Sequence, residues 1–224
     1  MMHFALVNPN TNAATTMAML AIARATAGVS VRLDGWTAEF GADLICDETG
    51  LATAADAVVA FGPTLRANRT DGVIIAAFGD PGRAQLAREL PCPVVGIAEA
   101  GMAEATQGRR RFSVVTTTPD LVGAIMRTAE LYGLRSLCTG VLVTPEDPRA
   151  LMADPPALEQ ALLELCERAI RDDGAQAIVI GGGPLAIVGR ALALRLPVPV
   201  IEPIPAAVRL LLGRIARRAA NSPR

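Results

Sequence analysis

The chain carries its own half twice. Phe4-Ala5-Leu6-Val7-Asn8-Pro9-Asn10 returns 108 residues later as Phe112-Ser113-Val114-Val115-Thr116-Thr117-Thr118. Asp71-Gly72-Val73-Ile74-Ile75-Ala76-Ala77 returns after 105 as Gln176-Ala177-Ile178-Val179-Ile180-Gly181-Gly182, and Pro91-Cys92-Pro93-Val94-Val95 after 106 as Pro197-Val198-Pro199-Val200-Ile201. A duplicated unit restricts the fold severely, because two copies of one half face each other with equivalent strand ends opposed. A small molecule held between those ends is approached from both sides. That geometry suits chemistry with one group on each face of a planar intermediate.

Each copy reads as α/β. Hydrophobic residues make up 51% of the chain and aromatics only 3%, so the core must be Ala, Val, Leu and Ile. Short β-branched runs alternate with longer Ala/Leu-rich stretches, the pattern of a parallel sheet covered by helices. Strands are predicted over 3–8, 29–35, 72–77, 93–97, 112–116, 138–143, 176–181 and 199–202. Helices are predicted over 11–27, 51–68, 82–89, 119–132, 156–172, 185–194 and 204–219. The expected architecture is two pseudo-symmetric lobes, each a parallel sheet flanked by helices, with a ligand cleft between them. Residues 1–108 plus 205–224 form the first lobe and 109–204 the second. Asn10-Thr11 and Thr118-Pro119-Asp120 have helix-start chemistry, and Ala219–Arg224 reads as a frayed tail.

Several function classes fall away. The net charge of −1 gives no electrostatic reason to expect nucleic acid or an anionic membrane as partner. Arg109-Arg110-Arg111 is short, lacks interleaved aromatics and reads as a solvated surface. No apolar run approaches the roughly 18 residues of a membrane span. A strand-like segment begins almost at once, without a basic leader, and Cys46, Cys92, Cys138 and Cys166 show no paired spacing. A cytoplasmic protein with reduced thiols is the expectation, with a small-molecule substrate as partner and apolar, Arg-flanked helices available for self-association into a homo-oligomer. All 21 basic residues are arginine, which removes a pyridoxal Schiff base and a P-loop lysine. His3 is the sole histidine, which argues against a His-rich metal site, a Ser-His-Asp triad and a Cys-His dyad. Neither metal nor cofactor is expected, so acid/base work falls to carboxylates, cysteines, hydroxyls or water.

Ligands of parallel sheets bind beyond the carboxyl ends of the strands. Asn8, Asn10 and Thr11 occupy such an end, and Thr116, Thr117 and Thr118 are their counterparts. Both stretches offer amides and side-chain donors to an anion or a carbonyl oxygen. Phe78-Gly79-Asp80-Pro81-Gly82 follows the third strand of the first half, and Gly183-Pro184 follows its equivalent. Asp80 can be a base, a loop organiser or a helix cap. The run Gly181-Gly182-Gly183-Pro184 lets backbone approach a ligand, but lacks the spacing of a dinucleotide fingerprint. Glu99 and Glu202 lie just past the ends of the two equivalent fourth strands, where each can line the cleft or cap a helix.

The stretches VNPNT, DGVIIAAFGDPG, PVVGIAEA, FSVVTTT, AIVIGGGP and PVIEPIPAA span nearly the whole chain. In that order they resemble the aspartate/glutamate/hydantoin racemase superfamily, most of all its hydantoin racemase branch. The resemblance implies two pseudo-symmetric lobes, a pocket between them and cofactor-independent catalysis. In the family's racemases one cysteine follows each lobe's third strand, one removing the Cα proton and the other returning a proton on the opposite face. Motif by motif, those positions fall on Ala77 and Gly182 here, and neither can transfer a proton. Cys138 and Cys166 fit buried strand and helix positions, while Cys46 sits in a loop able to reach the pocket.

Three readings follow. The first is an enzyme acting on a small carboxylate, amino-acid derivative or cyclic amide by proton transfer, with carboxylates or water in place of the thiols. The second is a hydrolase, lyase or decarboxylase in which Asp80, Glu99 or Glu202 activates water. The third is a catalytically silent binding protein that keeps the pocket. Burial must raise the pKa of any carboxylate base, because a solvated one is too weak near neutral pH.

Overall fold

The computed structural model describes residues 1–221. It contains two parallel four-stranded sheets that repeat one another. The first comprises β1 (Met2–Asn8), β2 (Val31–Thr37), β3 (Gly72–Ile75) and β4 (Val94–Gly96), in the order β2-β1-β3-β4. The second comprises β5 (Phe112–Thr116), β6 (Cys138–Val143), β7 (Ala177–Ile180) and β8 (Val200–Ile201), in the order β6-β5-β7-β8. Replacing each strand of the first sheet by its counterpart four places later gives the second. All eight strands lie where the β-branched runs predicted them.

The helices depart from expectation in three places. The stretch predicted as one helix over 51–68 is α2 (Glu48–Ala60) followed by α3 (Gly62–Ala67). Pro63 in the first turn of α3 has no N–H to continue the helical ladder from α2, so the axis breaks there. A helix missing from the prediction, α5 (Ile97–Ala105), starts directly at the end of β4 and is buried along most of its length. A second, α7 (Pro148–Ala153), is capped by the Asp147 side chain, which accepts from Ala150 N at 2.9 Å. The other helices are α1 (Ala13–Ala27), α4 (Arg83–Glu89), α6 (Val122–Leu131), α8 (Pro155–Arg171), α9 (Ala186–Ala193) and α10 (Pro203–Asn221). Ala219 to Asn221, predicted to be frayed, continue α10, and Ser222–Arg224 lie outside the described residues.

The two sheets share their inner core. Phe4 and Leu6 of β1, Phe112 and Val114 of β5, Met19 of α1 and Ile204 of α10 belong to one apolar cluster, while each sheet covers its outer face separately. Such burial contributes roughly 1.5–3 kcal/mol per large apolar side chain. Between the sheets α5 touches α6, β7 and β8 as well as β4 and α10. Cys138 in β6 and Cys166 in α8 are buried, as predicted, and all four cysteines are unpaired. Among the described residues no helix is long and apolar enough to cross a membrane.

Candidate active site

The strand ends of both sheets meet at one partly open cavity. Its polar lining is Asn10 after β1, Thr116, Thr117 and Thr118 at the end of β5, and Gly181, Gly182 and Gly183 after β7. Ala76, Ala77 and Phe78 after β3 complete the strand-end ring, and Pro184 and Leu185 continue it. Ala77 and Gly182 therefore border the same cavity from equivalent positions of the two lobes. The loops are tightly apposed behind them, since a Cβ on Gly183 would lie 2.6 Å from Ala76 O and 2.7 Å from Met19 Sδ. Only glycine permits that approach.

Hydrogen bonds fix what the polar residues present. Asn10 Oδ1 accepts from Asn8 Nδ2 (2.8 Å) and from Asn12 N (3.0 Å), which leaves Asn10 Nδ2 as the group with no partner among the described residues. Thr116 donates to Gly181 O at 3.0 Å, so the 3.1 Å contact between the Thr116 and Thr118 hydroxyls consumes the Thr118 hydrogen. The Thr117 hydroxyl is unpartnered among the described residues, as are the backbone N–H groups of Ala77, Thr117, Thr118, Gly182 and Gly183. The Asn10 and Thr117 groups are open to the cavity, since among the described residues the buried side-chain atoms without a partner are Trp36 Nε1 and Thr144 Oγ1, and free donors facing a cavity are placed to meet an acceptor.

Helix capping does not explain these residues. The cap of α1 is Asn12, whose side chain accepts from Thr15 N at 3.1 Å, and Thr118 makes no side-chain capping bond to the single 3₁₀ turn that precedes α6. Asn8 and Thr11, predicted at the ligand, are displaced from it. Asn8 is fully buried behind Asn10, and Thr11 N bonds Ala42 O away from the lining. Gly79 also lies outside the lining, at a φ of 105° that only glycine adopts easily.

The three predicted carboxylates are corrected more strongly, because none lines the cavity. The Asp80 carboxylate accepts from Ala98 N (2.9 Å), Glu99 N (2.8 Å) and the Tyr132 hydroxyl (2.7 Å), and so caps α5 and ties it to the end of α6. Burial pushes the Asp80 pKa up to about 6, and those three donated bonds restrain it. Burial, followed by the Asp80 charge, raises the Tyr132 phenol pKa and keeps it protonated. Gly96 makes the cap possible: a Cβ there would lie 1.9 Å from the Asp80 carboxyl carbon. Glu99 is held by Arg214 at 2.5 Å and by Arg83 at 3.5 Å. Glu202 is half-buried beside Gly189, where burial raises its pKa against the pull of Arg190 and Arg209. Burial is necessary for a carboxylate base, but none of these three borders the cavity.

The apolar side of the cavity was not foreseen. Leu44 and Ile45 come from the loop before α2, Leu121 from the 3₁₀ turn before α6, Ile125 from the start of α6, Met152 from α7, and Leu185 from the turn before α9. Leu121 and Ile125 show the i, i+4 spacing of a helix face, and Leu185 is the repeat partner of Asp80 at the 105-residue offset. Cys46 borders a neighbouring surface depression with Asp47 and Arg149, and burial raises its thiol pKa. The Asp43–Arg149 pair (2.7 Å) and the Glu48–Arg127 pair (2.6 Å) cross from this loop region to the second lobe.

Fold and site together define a two-lobed α/β enzyme of the racemase/isomerase class, with equivalent strand ends closing on one cavity. The chain belongs to the Asp/Glu/hydantoin racemase family, whose model matches residues 5–211. It is 33% identical over 218 residues to the hydantoin racemase of Rhizobium meliloti, covering 95% of this chain and 89% of that one. Allantoin racemase from Klebsiella pneumoniae superposes with a TM-score of 0.91 at 33% identity, covering 97% of this chain and 89% of that one. The allantoin racemase of Pseudomonas fluorescens gives 0.89 at 32%, covering 97% and 92%.

Proposed function

We propose that this protein moves a proton at the carbon next to a carbonyl in a small carboxylate or cyclic amide bearing an apolar substituent, without a cofactor and with solvent as the proton carrier. The observation that carries the reading is the chemistry of the lining: free donors from Asn10, Thr117 and the strand-end amides on one side, hydrocarbon on the other, and no ionisable side chain. A ring of fixed donors stabilises an oxyanion as it forms, which lowers the barrier to removing the adjacent proton. With Ala77 and Gly182 at the two positions beside the ligand, water-borne hydroxide takes the place of a side-chain base. The carbon–hydrogen pair flows into the enolate, and the water so formed returns a proton and regenerates hydroxide. Leu44, Leu121, Ile125 and Met152 favour an alkyl or aryl substituent over a second carboxylate, because among the described residues no cation lines the cavity. The reading places this work in the cytoplasm, where cysteines stay reduced.

Loss of the α-proton signal of 5-benzylhydantoin in deuterated buffer tests the reading. Exchange faster than in buffer alone, with aspartate left unexchanged, supports it. Saturable binding with no exchange would identify a silent binding protein instead, the alternative favoured by the same lack of an ionisable lining residue.

A further inference from the structure

The two faces of the cavity are walled differently. Gly182 presents no side chain, yet the space beside it is filled: a Cβ built there would lie 3.1 Å from Leu185 Cγ and 3.2 Å from its Cδ1. Leu185 is itself anchored, 3% exposed and packed with Val115, Ile180, Val188 and Leu192 in the outer core of the second lobe. At the equivalent place in the first lobe stands Asp80, whose side chain is turned away to cap α5. Asp80 therefore does not stand beside Ala77 as Leu185 stands beside Gly182. A water needs room and polar partners. Both sides carry free strand-end amides, but the residue that repeats Leu185 is withdrawn from Ala77, whereas Gly182 keeps a hydrocarbon neighbour.

We propose that Leu185 makes the Gly182 face the slow face, so that the protein exchanges the α-proton of its substrate from the Ala77 side faster than it inverts the centre. The inference rests on the proton-transfer reading above. Hydroxide on the Ala77 side takes the proton, the electron pair passes into the enolate, and a solvent deuteron returns to the same face with retention. Inversion waits for Leu185 to move and admit water on the other side. Leu185 is thus the residue that sets the ratio of exchange to racemisation.

The test follows each enantiomer of 5-benzylhydantoin in deuterated buffer, reading exchange by proton NMR and configuration by chiral chromatography. For the wild type, exchange of one enantiomer should outrun its inversion by at least about tenfold after subtraction of the buffer rate. In Leu185→Ala the ratio should fall toward one because inversion accelerates. Leu185→Val, a smaller change to the core, should give an intermediate ratio and supplies the comparison if the alanine variant does not fold. Wild-type exchange matched by equally fast inversion would overturn the inference and leave the proton-transfer reading standing. Absence of enzyme-dependent exchange with both enantiomers would overturn both.

Discussion

The loops after β3 and β7 leave equivalent strand ends and diverge three residues beyond Ala77 and Gly182. In the first lobe Asp80 adopts a left-handed φ of 52°, and its carboxylate leaves the cavity to hold α5 and Tyr132. In the second lobe Leu185 has a φ of −75°, and its side chain stays on the cavity wall. One copy of the repeat has become a clamp between lobes and the other a wall of the site. Duplication supplies two equivalent strand ends, and the turn residues decide what each end does.

Glycine substitutions probe that difference with the largest expected effect. Gly96→Ala drives a methyl into the Asp80 carboxylate and should cost about 3–5 kcal/mol in urea unfolding, the scale of breaking a buried charged contact. In the second lobe Gly189→Ala, within α9, meets Glu202 Cγ at 2.9 Å, and that half-buried side chain can yield, so the cost should stay near 1 kcal/mol. Equal costs would show that the Asp80 clamp resists displacement no more than a half-buried side chain does.

The pH dependence of stability isolates Asp80. Its pKa is raised from 3.8 to about 6 in the fold, so the folded state holds the proton more tightly. That contribution is fully present below about pH 4 and is lost as the pH rises through 6. Asp80→Asn should therefore reduce the difference in unfolding free energy between pH 4 and pH 7 by about 2–3 kcal/mol. An unchanged difference would assign the titration to another group.

Equivalent donors offer a finer contrast. Asn10 and Thr118 match in the repeat, but Asn10 keeps a free Nδ2 while the Thr118 hydrogen is spent on Thr116. Asn10→Ala should weaken binding of 5-benzylhydantoin by about 1–3 kcal/mol in calorimetry, with Thr118→Ala costing clearly less. The reverse order would relocate the oxyanion contact to the second lobe. Smallest of all is the link between lobes at the cavity mouth. Arg149 and Asp43 are both more than half exposed, so Arg149→Ala should leave the urea midpoint nearly unchanged, and any difference should vanish at high salt.

Much of the fold was readable because the duplicated strands are β-branched runs of the right length. α5 was not, because Ile97 follows β4 with no intervening turn and the helix is too buried to show a polar face. The donor residues of the site were readable from strand-end chemistry, although only the structure separates Asn10 at the cavity from Asn8 behind it. Asp80 reads as a base in the sequence because it is a carboxylate three residues beyond the strand-end position of Ala77. Its cap depends on Gly96 and Tyr132, which are remote in sequence. Leu185 was legible only by extending the repeat three residues beyond Gly182, where the two halves no longer look alike.

The pH profile of α-proton exchange, measured before and after complete alkylation of the four cysteines, tests the central claim most directly. A cavity that lines its ligand with donors and no ionisable side chain predicts exchange that survives alkylation and rises about tenfold per pH unit between roughly pH 6 and 9, first order in hydroxide. A plateau or bell in that range, or loss of exchange on alkylation with protection by ligand, would mean that a side chain of the protein carries the proton and would contradict the account.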